Sequence, residues 1–193
     1  MNGVCSPASV LYPCLSVFES LHVRLTTFQL TLETKKSSFS DMIRKARVPD
    51  VQAIQSLINC NADAGQMLPR TLNELYEHLR DFSLFEEKGV IVGTCALHVS
   101  WEGLAEIRSL AVRQDRMSNG IGSALVRACL AEAVELGSAR VFVLTYQGDF
   151  FKKMGFADVD KGELPHKVWS DCLNCVKFPN CDESALMLSL SAS

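Results

Sequence analysis

Residues 104–125, LAEIRSLAVRQDRMSNGIGSAL, constrain this chain more than any other stretch, because they hold a strand, a glycine-rich turn and a helix start in direct succession. Strict two-residue alternation predicts a strand with Leu104, Glu106, Arg108, Leu110 and Val112 on one face, and Ala105, Ile107, Ser109 and Ala111 on the other. Two opposite charges then share a face. Beyond the polar turn, Ile121, Ala124, Leu125, Ala128 and Cys129 recur at helical spacing, so a helix opens at Gly120-Ile121-Gly122.

The first N–H groups of a helix have no intrahelical acceptor and carry the positive end of its dipole, and glycines let an anion approach them. Met117, Ser118, Asn119, Gly120, Ile121, Gly122 and Ser123 are therefore candidates to cradle a phosphate; the plainer reading is that the glycines only shape a turn. No glycine completes G-x-G-x-x-G, where Leu125 and Val126 stand, and no Gly-Lys-Ser/Thr occurs. A dinucleotide-binding fold and a P-loop are thereby excluded.

With 193 residues, 48% of them hydrophobic, the chain can form one well-cored domain with appendages. A formal net charge of −3 and the lack of any Lys/Arg run longer than a pair argue against nucleic acid as a partner. No run approaches the roughly 18 apolar residues of a membrane span. The eight cysteines are scattered apart from one C-terminal cluster, and several sit in apolar periodic segments. Buried thiols in a reducing compartment, hence a cytoplasmic protein, fit that distribution.

Residues 1–41 are rich in Ser, Thr and Leu and contain Pro7 and Pro13; Glu19, His22 and Arg24 interrupt their apolar middle, unlike a secretory signal. They are read as an extension, either without fixed order or lying ahead of a natural start at Met42, with one domain over residues 42–193. A strand at 42–47 leads to a helix entered at Pro49-Asp50 and carried by Val51, Ile54, Leu57 and Ile58 to about Asn61. Thr71 and Glu74 form a capping-box pattern that opens a helix through Leu72, Leu75, Tyr76 and Leu79. Strands at 82–86 and Val90–Trp101, joined by Glu87-Lys88-Gly89, and a turn at Glu102-Gly103 make an antiparallel meander with the pivotal strand. The long helix ends before Gly137, residues 140–146 form a buried strand, residues 149–156 hold a closing helix, and 156–159 and 186–190 supply the last strands. The expected fold is a mixed α/β sheet: an antiparallel meander, then a parallel β-α-β unit whose central strands splay.

Leu110-Ala111-Val112 followed by Gly120-Ile121-Gly122 resembles the GCN5-related N-acetyltransferase (GNAT) family, whose motif is Arg/Gln-x-x-Gly-x-Gly/Ala after a strand ending in an apolar triplet. Met117 takes the Arg/Gln position, with Arg116 beside it. The resemblance implies acetyl-CoA as co-substrate, held by Leu110, Ala111, Val112 and residues 117–123, with Phe151 at the tyrosine position of the family's closing F-Y-x-x-x-G-F. Direct acetyl transfer needs the amine deprotonated, the carbonyl polarised and the thiolate protonated. Glu106 stands at the family's base position; on its own residues it is equally an ion-pair partner of Arg108. The Leu110 N–H would polarise the carbonyl if the strand bulges there. Tyr146 is the candidate proton donor for the thiolate, its alternative being strand packing with a wet hydroxyl.

Residues 141–145 (VFVLT), Phe150-Phe151, Gly155-Phe156 and Leu164-Pro165 with Lys167 resemble the acetyltransferase domain of bacterial N-acetylglutamate synthases, especially their short forms. That resemblance implies acetylation of the α-amine of glutamate at the entry to arginine synthesis. Arg70 falls on a basic, carboxylate-holding position, Arg108 offers a second guanidinium, and Gln147 stands where some relatives carry arginine. The alternative for Arg70 is a solvated loop arginine. In the tail, Cys172, Cys175, Cys181 and His166 have the residue types of a zinc site, against a reduced, unliganded cluster. The expected activity is acetyl-CoA-dependent acetylation of a small-molecule amine, glutamate first, by a chain for which a homodimer is open. Rival readings are transfer to another small amine or a protein N-terminus, and a non-catalytic acyl-CoA or metal-binding sensor.

Overall fold

The computed structural model describes residues 39–164, 173, 177 and 180–190. The chain divides into a unit Met1–Lys36 and a unit Ser37–Ser193. Every described residue belongs to the second. Residues 1–38 of the expected extension lie outside the described residues, as do His166, Cys172 and Cys175. Phe39 sets its ring edge-on to Phe85 at 5.3 Å, which ties the turn Phe39–Met42 to the core.

Among the described residues, seven strands form one mixed sheet in the order β1-β2-β3-β4-β5-β7-β6, with β1 Ile43–Lys45, β2 Phe82–Glu87, β3 Val90–Trp101, β4 Leu104–Val112, β5 Arg140–Thr145, β6 Ala157–Asp158 and β7 Ser184–Ser189. The meander β2-β3-β4 is antiparallel, and its first turn is the two-residue Lys88-Gly89, both at positive φ (51° and 79°), the geometry that matches strand twist. Helix α1 (Val51–Asp63) and helix α2 (Leu72–Glu77) cover one face; α3 (Ile121–Glu135) and α4 (Gly148–Lys153) cover the other. The α2 capping box forms as its pattern predicts: the Thr71 N–H and hydroxyl donate to Glu74 Oε2 at 2.8 and 2.7 Å.

Gly93 lets α3 approach the sheet. A Cβ there would lie 2.9 Å from Ile121 Cγ2 and 3.0 Å from Leu125 Cδ1, both on buried side chains. Only hydrogen fits between β3 and the first turn of α3.

The expected alternation of β4 fails beyond Arg108. Thr94 pairs with Ala111 but Ala96 with Arg108, so Ser109 and Leu110 together oppose Cys95, and Ser109 takes φ 54°. This β-bulge shifts the side-chain phase by one residue. Leu110 and Val112 consequently join Ala105 and Ile107 in the core under α3, while Ala111 joins the core under α1 and α2. Arg108 and Ser109, expected on opposite faces, border the same cleft.

Candidate active site

The turn between β4 and α3 builds a cradle of backbone donors. Gly120 caps α3 at φ 82°, a conformation that carries a steric cost for any residue with a Cβ. The first intrahelical bond runs from the Ala124 N–H to the Gly120 carbonyl at 3.0 Å, so the amides of Ile121, Gly122 and Ser123 have no acceptor inside the helix. A fifteen-residue helix places its dipole behind them. Ser118 is also left-handed (φ 63°), and Ser118 and Asn119 are exposed. Met117 is 36% exposed, whereas Arg116 beside it is held by Glu87 at 2.9 Å. The backbone of this turn therefore fits a pyrophosphate, with Met117 adding only an apolar contact.

Below the cradle the sheet opens. Parallel pairing of β4 with β5 covers only Leu104–Arg140, Ala105–Val141 and Glu106–Phe142, after which β5 pairs with β7 alone through Thr145. The wedge between residues 107–112 of β4 and residues 143–145 of β5 can accept an extended chain, and the Ser109–Leu110 bulge interrupts the ladder along its wall. Phe151, expected to meet the cofactor, is instead 2% exposed in the core, its ring edge-on to Phe150 and Phe156. Phe150 lies nearer the cradle, 3.6 Å from the Cβ position of Gly122.

On the α1/α2 face a cleft is lined by Arg70, Glu74, Leu75, His78, Phe82, Arg108 and Ser109. It brings together both arginines expected to hold substrate. Arg70 is fixed through its backbone: its N–H donates to Asn59 Oδ1 at 3.0 Å and its carbonyl accepts from Gln55 Nε2 at 3.2 Å, while its guanidinium meets Glu74 at 3.2 Å. Burial raises the Glu74 carboxyl, but its bonds from Thr71 and the charge of Arg70 outweigh that and leave it below the ordinary range. Arg108 lies 3.6 Å from Asp81 and 3.9 Å from Glu106, and Glu106 stands directly across β3–β4 from His98. Glu106 is thus an ion-pair neighbour of Arg108, itself a residue of the cleft wall.

A part of this cluster has no counterpart in the expectations from sequence. His98 Nδ1 lies 2.7 Å from Asp81 Oδ2, and His78 lies 3.8 Å from the same oxygen. The two imidazoles meet edge-to-face at 5.1 Å. Burial, then the charges of Arg108 and His98, push the His78 imidazole below its usual value. His78 and Asp81 frame the turn that leads from α2 into β2, and His98 ends the apolar run of β3. The one local signal was His98, a lone titratable group on the face of Thr94 and Ala96.

The other expected residues lie apart from this cleft. Tyr146 follows β5 and donates to Asp182 Oδ1 at 3.0 Å, with Lys177 Nζ 5.6 Å from its ring centre. Burial and the bond to Asp182 hold its phenol protonated above the usual range. Gln147 uses its backbone N–H on Thr145 Oγ1 at 2.9 Å, ahead of α4. Of the tail residues expected to bind zinc, Cys181 alone is described; its Sγ lies 3.8 Å from Glu183 Oε2. Among the described residues, His78, Asp81 and His98 are the group of metal-ligating type, their ligand atoms within 4.8 Å of one another. No helix among them is long and apolar enough to cross a membrane.

Residues 51–156 match the family model described as "Acetyltransferase (GNAT) family". An uncharacterized N-acetyltransferase of Chlorobaculum tepidum is 42% identical over 77% of this chain and 96% of its own length. An amino-acid acetyltransferase of Mycobacterium tuberculosis is 37% identical over 67% of this chain and 76% of its own length. Among solved structures, a Mycobacterium tuberculosis protein in complex with CoA superposes with a TM-score of 0.68 at 33% identity, over 77% of this chain and 99% of that one. N-acetylglutamate synthase from Neisseria gonorrhoeae, complexed with coenzyme A and N-acetyl-glutamate, superposes with a TM-score of 0.71 at 28% identity, over 77% of this chain and 35% of that one.

Proposed function

Since the chain belongs to the GNAT family and is an N-acetyltransferase, we propose that it moves the acetyl group of acetyl-CoA directly to the α-amine of L-glutamate. The observation that carries this reading is that Arg70 and Arg108 line one cleft together with Ser109. Two guanidinium groups suit the two carboxylates of glutamate. The amino-acid acetyltransferase name of one relative and the N-acetyl-glutamate bound by a structural neighbour support the same acceptor.

In this mechanism the amides of residues 121–123 hold the pyrophosphate and the β4–β5 wedge holds the pantetheine arm. The thioester carbonyl lies against the bulge, where the Leu110 N–H polarises it. Glu106 takes a proton from the substrate ammonium, directly or through water. The amine nitrogen then forms a bond to the carbonyl carbon, the C–S bond breaks, and the thiolate takes a proton from Tyr146, once freed from Asp182, or from solvent; the second proton that nitrogen loses as the amide forms returns to that donor through water. The reaction would stand at the entry to arginine synthesis, in the cytoplasm.

A second acceptor class is favoured by one observation. Both guanidiniums already have acidic neighbours: Glu74 for Arg70, and Asp81 and Glu106 for Arg108. That charge balance suits an amino acid with a neutral polar side chain, such as glutamine. Thiol release from acetyl-CoA, measured across the amino acids with NMR identification of the product, separates the readings. N-acetylglutamate as the main product supports the first, N-acetylglutamine the second, and CoA binding without release would reject both in favour of a sensor.

A further inference from the structure

We propose that His78, Asp81 and His98 bind one divalent transition-metal ion of the zinc class at the wall of the amine cleft. His98 Nδ1 and His78 Nδ1 lie 2.7 and 3.8 Å from Asp81 Oδ2, and the ligand atoms of all three lie within 4.8 Å of one another. Around a tetrahedral ion with bonds of about 2.0–2.2 Å, ligand atoms stand roughly 3.3–3.6 Å apart. Small side-chain rotations bring the group to that spacing. The three residues are held by different parts of the framework: His98 by β3, and His78 and Asp81 by the turn that enters β2.

The donor set selects the ion. Two imidazoles and a carboxylate favour zinc, cobalt, nickel or ferrous iron over magnesium or calcium, which take oxygen ligands. His98 offers Nδ1 when its proton sits on Nε2. Two cations lie close to Asp81: Arg108, 3.6 Å from Oδ2, and Lys45, whose Nζ donates to the Asp81 backbone carbonyl at 3.3 Å and is itself paired with Glu132 at 2.8 Å. An ion on Oδ2 leaves Oδ1 for the guanidinium, the usual outer-shell arrangement of a ligating carboxylate. Glu106, opposite His98, and Glu77, next to His78 in sequence, add negative charge that offsets these cations. Three protein ligands leave a fourth position for water, as in open zinc sites.

The test uses the full chain with Cys172, Cys175 and Cys181 replaced by serine, stripped with a chelator. Zinc is titrated by calorimetry and cobalt(II) by visible absorption. One ion per chain is expected, with cobalt d–d bands and no thiolate charge-transfer band. Affinity should fall at least about 100-fold in His78→Ala and in His98→Ala, since losing a ligand costs more than losing its outer-shell partner. Circular dichroism checks the fold, and His78, the more exposed imidazole, gives a variant that keeps it. No bound ion, a thiolate band, or unchanged affinity in His78→Ala would overturn the site. Acetyl transfer is not read in this experiment, so its failure leaves the acceptor reading intact.

Discussion

Gly93→Ala tests the link between sheet packing and the phosphate cradle. The added methyl would stand 2.9 Å from Ile121 Cγ2, 3.0 Å from Leu125 Cδ1 and 3.4 Å from Phe85 Cβ. Leu125 Cδ1 can rotate away, but Ile121 Cγ2 is fixed to a branched Cβ in the first turn of α3, so α3 itself has to move. Overpacking of this kind costs about 1–3 kcal/mol. For a domain of this size that lowers Tm by roughly 2–10 °C, measured by thermal denaturation followed by circular dichroism. Because Ile121 supplies one of the cradle amides, CoA affinity measured by calorimetry should fall as well. Ile121→Ala removes the clashing methyl, so the double variant should lose less stability than the sum of the single ones. A Tm within a degree of wild type, unchanged CoA affinity and strict additivity would refute the close approach of α3 to β3.

Asp50 accepts from Arg44 Nη1 and Nη2 at 2.7 and 2.9 Å and from the Arg47 N–H at 2.8 Å. The bonds from Arg44, against a smaller opposing effect of burial, lower its carboxyl below the usual value. That stability is present above the unfolded carboxyl value of about 3.9 and is lost as pH falls through the lower folded value. Asp50→Asn should therefore cost about 1–2 kcal/mol in urea denaturation at pH 7, and the gap to wild type should close in strong acid; a gap independent of pH would contradict the assignment. Phe151→Ala should destabilise by about 3–5 kcal/mol as a core truncation, and a raised KM for acetyl-CoA with unchanged stability would instead restore Phe151 as a cofactor contact. Gly120→Ala, at φ 82°, should cost about 1–2 kcal/mol and weaken CoA binding, read by calorimetry; equal affinity would remove this turn from the cradle. Ser109→Gly should raise Tm slightly, by relieving a left-handed serine.

Local chemistry made much of the fold legible. The Thr71–Glu74 capping box, the Lys88-Gly89 turn and the Gly120-Ile121-Gly122 helix start each carry their conformation in adjacent residues, and each formed as expected. The strand faces of β4 were legible only to Arg108, because the bulge is set by pairing across to Cys95, and Ser109 has no composition that announces φ 54°. Phe150 and Phe151 were indistinguishable by type; the direction in which α4 presents them to the sheet decides which is core. Family resemblance singled out Arg70 and Arg108, which line one cleft, whereas the His78–Asp81–His98 group depends on how α2 and its turn lie over β3. No spacing within one element encodes that contact.

Arg70 gives the most direct measurement of the acceptor reading. Its backbone is pinned by Asn59 and Gln55, and its guanidinium takes part in one described ion pair, with Glu74. Removing that guanidinium should change what the cleft prefers with little change to the fold. The quantity to measure is the ratio of kcat/KM for L-glutamate to that for L-glutamine, in wild type and in Arg70→Gln. A ratio well above one in wild type that collapses in the variant, at unchanged KM for acetyl-CoA, is the predicted result. A ratio near or below one in wild type, or one that Arg70→Gln leaves unaltered, would contradict the claim that this cleft selects glutamate by its second carboxylate.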